Sequence, residues 1–194
     1  MRRIAWLMPV VVAAIASVAL ASTVLSLSIE DQSRLAKLIV IGEVVGQQGV
    51  DDPQMGIETE VTLLVTHVLK GDVRPGDAVV FHTRGGEVDG VISEAQGEAV
   101  FRSGQRALVF VEDIDGRLYN LGLSMGVWDV NETASGAVHF TRAVRDGLET
   151  VGDTPVERGP ISLSEMVSRV ARAARSPRFD EPLLRELAFP PDGR

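Results

Sequence analysis

Residues 58–69, ETEVTLLVTHVL, alternate apolar and polar side chains. That period of two most narrows what the chain can fold into. Val61, Leu63, Val65 and Leu69 fall on one face, and Glu58, Glu60, Thr62 and Thr66 fall mostly on the other, as in an antiparallel strand with one buried side. KGDVRPGD then supplies turn chemistry and AVVFHTR a return strand, with even pairing parity, for example Leu69 opposite Val79. The glycines and Pro75 stand where a hairpin loop needs them. A phosphate loop would have to open a helix so that N-terminal amides face the anion, and GxxxxGK[ST] is absent, so Lys70-Gly71 is read as turn chemistry.

The neighbouring segments extend the same pattern. LIVIGEVVG (38–46) reads as a β-branched strand, followed by a loop, QQGVDDPQMG. FRSGQRALVFVED contains a turn and a strongly apolar strand, RLYNLGL another, and GVWDV and AVHFT two more around NETASG. Seven short strands with turn signals between them predict a closed or sandwich-like all-β core. Phe81, Phe101, Phe110, Trp128 and Phe140 lie in apolar strands without a basic groove, so they are expected to fill that core and not to form a stacking platform.

Helices flank the strands. Residues 28–37, SIEDQSRLAK, begin with a capping serine, place Glu30 and Asp31 in the first turn and end on a cation. Near the other end Ser162 and Glu165 form a capping box. Leu163, Met166, Val167, Val170, Ala171 and Ala174 make an apolar stripe over 163–175, with Arg169, Arg172 and Arg175 off it. The stripe predicts docking on the β domain, since so short a helix is marginal unless packed. DEPLLRELAF (180–189) reads as a second short helix. The expected division is 1–21 signal peptide, 22–150 β domain, 151–160 linker and 161–194 helical tail.

Residues 1–21 carry Arg2 and Arg3, a long apolar run, and small residues at Ala19 and Ala21, the pattern of a cleavable export signal. The alternative is an uncleaved anchor, because apolar residues resume at Val24 and Leu25. The chain lacks cysteine, so an exported domain must stand on its core without disulfides. Its formal charge of −8, or −10 once Arg2 and Arg3 leave with the signal, argues against a nucleic-acid partner. The expected location is periplasmic or extracellular, and a membrane partner is expected only if the N-terminal segment stays uncleaved. The excess of arginine over lysine fits a GC-rich bacterial source.

Catalytic and metal chemistry find little to use. There is no thiol, no GxSxG elbow and no strand-placed carboxylate pair that spacing alone could assign. Of the three histidines, His67 and His82 flank one hairpin, yet the parity that turns His67 toward the core turns His82 away, so no shared metal is expected. GGEVDGVISEAQGE (85–98) is the longest irregular stretch in the β region. Its residues Gly85, Gly86, Glu87 and Asp89 are the candidate partner-contacting positions.

Taken in order, the 36–44 strand, ETEVTLLVTHVLKGD, AVVFHTRGG, FRSGQRALVFVED and GRLYNLGLSMGVWDV resemble the netrin-like module, best known from tissue inhibitors of metalloproteinases. The layout also resembles exported bacterial proteins of unassigned function. The resemblance covers about residues 28–130 and implies an OB-like closed antiparallel β-barrel with a short N-terminal helix and a helical tail. Those inhibitors chelate a protease zinc through an N-terminal cysteine and are braced by disulfides. With no cysteine here, neither feature carries over. The expected function is an exported, non-catalytic binding module without cofactor or metal, meeting a protein partner, of which a secreted protease is the class the resemblance suggests. The alternatives are a membrane-tethered envelope structural protein and a metal-dependent enzyme or metal carrier using the histidines.

Overall fold

In the computed structural model, which describes residues 23–142, 149–151 and 155–174, β1 (Thr23–Leu25) leads into α1 (Ile29–Leu35). The expected signal peptide and the helix at 180–189 lie outside the described residues. Ser28 starts α1 as its position predicts: its Oγ accepts from the Asp31 amide at 3.1 Å. Two long strands follow, β2 (Leu38–Asp52) and β3 (Gly56–Lys70), joined by a tight turn in which the Asp52 carboxylate accepts from the Gln54 and Met55 amides at 2.8 and 2.9 Å. The predicted loop at 47–56 is therefore mostly paired strand.

β4 (Ala78–Val88), β5 (Val91–Glu94), β6 (Arg106–Ile114) and β7 (Arg117–Asn120) come next. A 3-10 turn (Leu123–Gly126) precedes β8 (Val127–Glu132) and β9 (Val138–Thr141). β10 (Glu149–Val151) pairs in parallel with β1, and β11 (Ile161–Ser162) passes into α2 (Leu163–Ala174).

The main sheet has nine strands in the order β11-β9-β8-β6-β2-β3-β4-β5, with β7 paired to β6 and touching β4. The domain is mainly β with a helix near each end, as expected, but it is not the expected closed barrel. β7 is four residues long and meets β4 at one parallel pair, His82 with Tyr119. Beyond Glu58 opposite Arg84, β4 leaves β3 and pairs with β5, where the path ends among the described residues.

Register in the first hairpin keeps the predicted parity and shifts the partner: Val79 faces Leu63, not Leu69. The turn closes early, with the Val65 amide donating to Asp77 O and the Gly76 amide to Val65 O. β3 continues to Lys70 paired with β2 alone, and a bulge between Ile41 and Gly42 changes its phase. Val61, Leu63 and Val65 thus fill one core cluster while Leu69 packs against another. His67, expected toward the core, is exposed.

Both faces of β2 and β6 are covered. Val40, Val44, Val109 and Val111 enter the first cluster; Ile39, Ile41, Leu108 and Phe110 enter the second, beneath α1 and α2. That is why LIVI and ALVFV read as unbroken apolar runs. The five aromatics expected in the core are buried, Phe81 and Phe101 edge to face at 5.3 Å.

α2 packs on a stripe rotated from the expected one. Met166, Val170 and Ala173 are buried, whereas Leu163 and Val167 are 40% and 43% exposed. The rotation follows from Arg169, expected on the solvent side. Its guanidinium grips both oxygens of Glu30 on α1 at 2.7 and 2.9 Å and both of Glu157 at 2.9 Å. Turning Arg169 inward swings Leu163 and Val167 out.

Candidate functional site

Lys70 is engaged at the end of α1. The Lys70 ammonium donates to the carbonyls of Ser33, Arg34 and Ala36 at 2.8, 3.2 and 2.5 Å, satisfying the C-terminal end of α1. The cation ties the first hairpin to the helix.

The candidate partner residues lie on a second hairpin, in a stretch expected to be irregular. Asp89 and Gly90 both have positive φ (51° and 80°) between the paired Val88 and Val91, the conformation of a two-residue hairpin turn. Gly85 and Gly86 are internal to β4 and fulfil a packing role. At Gly86 a Cβ would lie 2.4 Å from Thr59 Oγ1, and at Gly49 on β2 a Cβ would lie 1.9 Å from the Glu87 carbonyl oxygen. These glycines let β4 fold across the β2–β3 arm. Glu87 and Asp89 remain exposed, together with all four residues of β5. Val91 and Ile92, at 59% and 68%, are the most open large apolar side chains near the turn.

A buried polar network stands on the face of β3 and β4 opposite the first core. Glu58, expected toward solvent, is fully buried. Tyr119 Oη donates to its Oε1 at 3.0 Å and Arg117 Nη2 to its Oε2 at 2.9 Å. His82 Nδ1 lies 3.2 Å from the same Arg117 nitrogen and 3.6 Å from Glu58 Oε2, and Arg117 also pairs with Asp52 at the tip of β2. Burial and the bond to Glu58 push the Tyr119 phenol above its usual range, so it stays protonated. Both Glu58 oxygens are engaged, and the group braces the seam where β7 meets β4 by a single pair. His82 is the buried histidine of its hairpin and His67 the exposed one, the reverse of the predicted assignment. Among the described residues no three His, Asp or Glu side chains converge as metal ligands.

Beside this network Glu98 is buried and accepts from Ala99 N at 2.9 Å, Asn120 Nδ2 at 3.0 Å and Arg84 N at 3.2 Å. Burial nonetheless raises its carboxyl above the ordinary 4.5, and burial does the same for Glu112, whose rise the Glu98 charge reinforces and Arg84 opposes. A raised carboxyl makes the folded state the better proton binder. Its contribution is full below the ordinary value and is lost as pH rises through the raised one. Glu30 behaves oppositely: Arg169 holds it below 4.5, so its stabilisation is present above that value and lost on acidification. Urea unfolding should therefore show stability declining as pH rises above the ordinary 4.5. Glu98→Gln should flatten that decline, whatever it does to absolute stability, and an unchanged slope would show that Glu98 does not titrate there.

Comparison with family models, with curated proteins and with solved structures gives no match to this chain.

Proposed function

We propose that the chain is an exported, non-catalytic binding module that meets a protein partner at the free edge of β5, the partner adding an extended segment to the sheet. The observation that carries this reading is the edge itself. Among the described residues β5 ends the strand path, pairs only with β4 and exposes every residue. The two-residue turn makes Val88 and Val91 the pair that exchanges both hydrogen bonds, so the next residue, Ile92, directs its N–H and C=O away from β4. Sheet edges are ordinarily blunted by charge, proline or a covering element. Val91-Ile92-Ser93 has none of these within it, and acidic Glu87, Asp89 and Glu94 form its rim.

The reading retains the netrin-like resemblance and an OB-like arrangement of β2, β3, β4, β6 and β7. It is supported by the order β6-β2-β3-β4 and by the parallel contact of β7 with β4. Export rests on the character of residues 1–21. A photo-crosslinking residue at position 92 should form an adduct with a partner protein in the native envelope or medium, and one at exposed Leu64 on β3 should not. Equal adducts from both positions, or none from 92, would sink the edge reading.

A further inference from the structure

A cleft of about 400 Å³ opens where α1, α2 and the segment 155–160 meet. Leu27, Ile29 and Pro155 form apolar walls, and Arg142, Glu157 and Arg169 supply the charge. The two arginines differ in kind. Arg169 is saturated by Glu30 and Glu157. Arg142 is 4% exposed, with its guanidinium 4.0 Å over the Trp128 ring and one Nη 3.4 Å from Gln32 Oε1. Its Nε–H meets no acceptor among the described residues, and no carboxylate there forms an ion pair with it. A buried cation left in this state is costly and calls for an anion.

We propose that this cleft binds a small monocarboxylic acid with an apolar body, its carboxylate received by Arg142 and its chain by Leu27, Ile29 and Pro155. The guanidinium fork matches a carboxylate, and its stacking on Trp128 fixes the plane in which the fork is offered. One unpaired cation beside Glu157 selects a single negative charge over a dianion. The volume falls within the range of small-molecule sites, whose walls are mostly apolar with a few placed polar groups. Burial pushes Arg142 down to about 10, with Glu157 opposing and Arg169 adding to the fall, which is the state an incoming carboxylate would relieve.

Hexanoate added to the purified full chain should bind saturably and shift the Arg142 Nε–H resonance. Hexanol, with the same body and no charge, should bind at least about tenfold more weakly. Arg142→Met should abolish the preference for the acid while raising the thermal midpoint of the unliganded protein, since it removes a buried unpaired charge. N-acetyl-Ala-Leu, a peptide ending in a free carboxylate, separates the two sources of such a group: tighter binding than hexanoate assigns the site to chain termini, weaker binding to free acids. The proposal is overturned if hexanoate and hexanol bind alike, or if folded Arg142→Met keeps the preference. It is also overturned if hexanoate binds only after Asp146, Glu149 or Asp153 is changed to its amide, because the occupant would then be the chain itself.

Discussion

Changing Arg117 to alanine should lower the free energy of unfolding by about 2–3 kcal/mol. Glu58 is fully buried, and without the guanidinium its carboxylate keeps the Tyr119 hydroxyl and, at 3.6 Å, the His82 ring. Breaking a buried pair from one side typically costs about 3–5 kcal/mol, and a somewhat smaller loss is expected here because Arg117 is itself about a third exposed and water can partly replace it. The cost comes from the stranded charge more than from the lost attraction, so the double change Glu58→Leu with Arg117→Met should recover most of it. Urea unfolding of the three proteins checks this. If the double variant is as unstable as Arg117→Ala, the network is acting through its shape and not its charge. The chain lacks cysteine, and this cluster is the cross-tie at the seam between β4 and β7.

Val170→Asp on α2 should cost about 4 kcal/mol or more and lower the thermal midpoint by about 10 °C, whereas Val167→Asp three residues earlier should stay within about 1 kcal/mol. Val170 is buried in the second core beside Met166, and Val167 is 43% exposed. The apolar periodicity of the helix treats the two valines alike. What separates them is the grip of Arg169 on Glu30 and Glu157, which sets the rotation of the helix. Equal effects of the two substitutions in a thermal melt would mean that α2 sits in a different rotation.

The strands were legible wherever one face is buried. Val61, Leu63 and Val65 carry β3, and the continuous runs at 38–41 and 107–111 mark strands buried on both sides. Legibility failed where the alternation had no buried face to report. The arm at 47–56 and the β4–β5 hairpin are polar, glycine-rich and paired mostly through the backbone, so they resembled loops. A signal for the second was present: Asp89-Gly90 between Val88 and Val91 is the dipeptide that a positive-φ hairpin turn requires.

The site was harder to read, because its members come from β2, β3, β4 and β7 and meet only through register. Glu58 sits at a polar position of an alternating strand, and its burial depends on Arg117 and Tyr119 arriving from sixty residues away. Arg142 gives no sequence signal either. Among the described residues its lack of a carboxylate partner follows from Glu157 and Glu30 being taken by Arg169. Gly85, Gly86, Glu87 and Asp89 fall in the β4–β5 hairpin, where the glycines shape the strand and the outward-facing backbone belongs to Ile92.

Hydrogen exchange of the Ile92 amide, in the protein alone and bound to the partner captured through position 92, tests the proposed mode of binding most directly. Strand addition at β5 requires that amide to exchange rapidly when free, to be protected in the complex, and the complex to be lost in a folded Ile92→Pro variant. An Ile92 amide equally exposed in both states, with the proline variant binding as well as the parent, would contradict it.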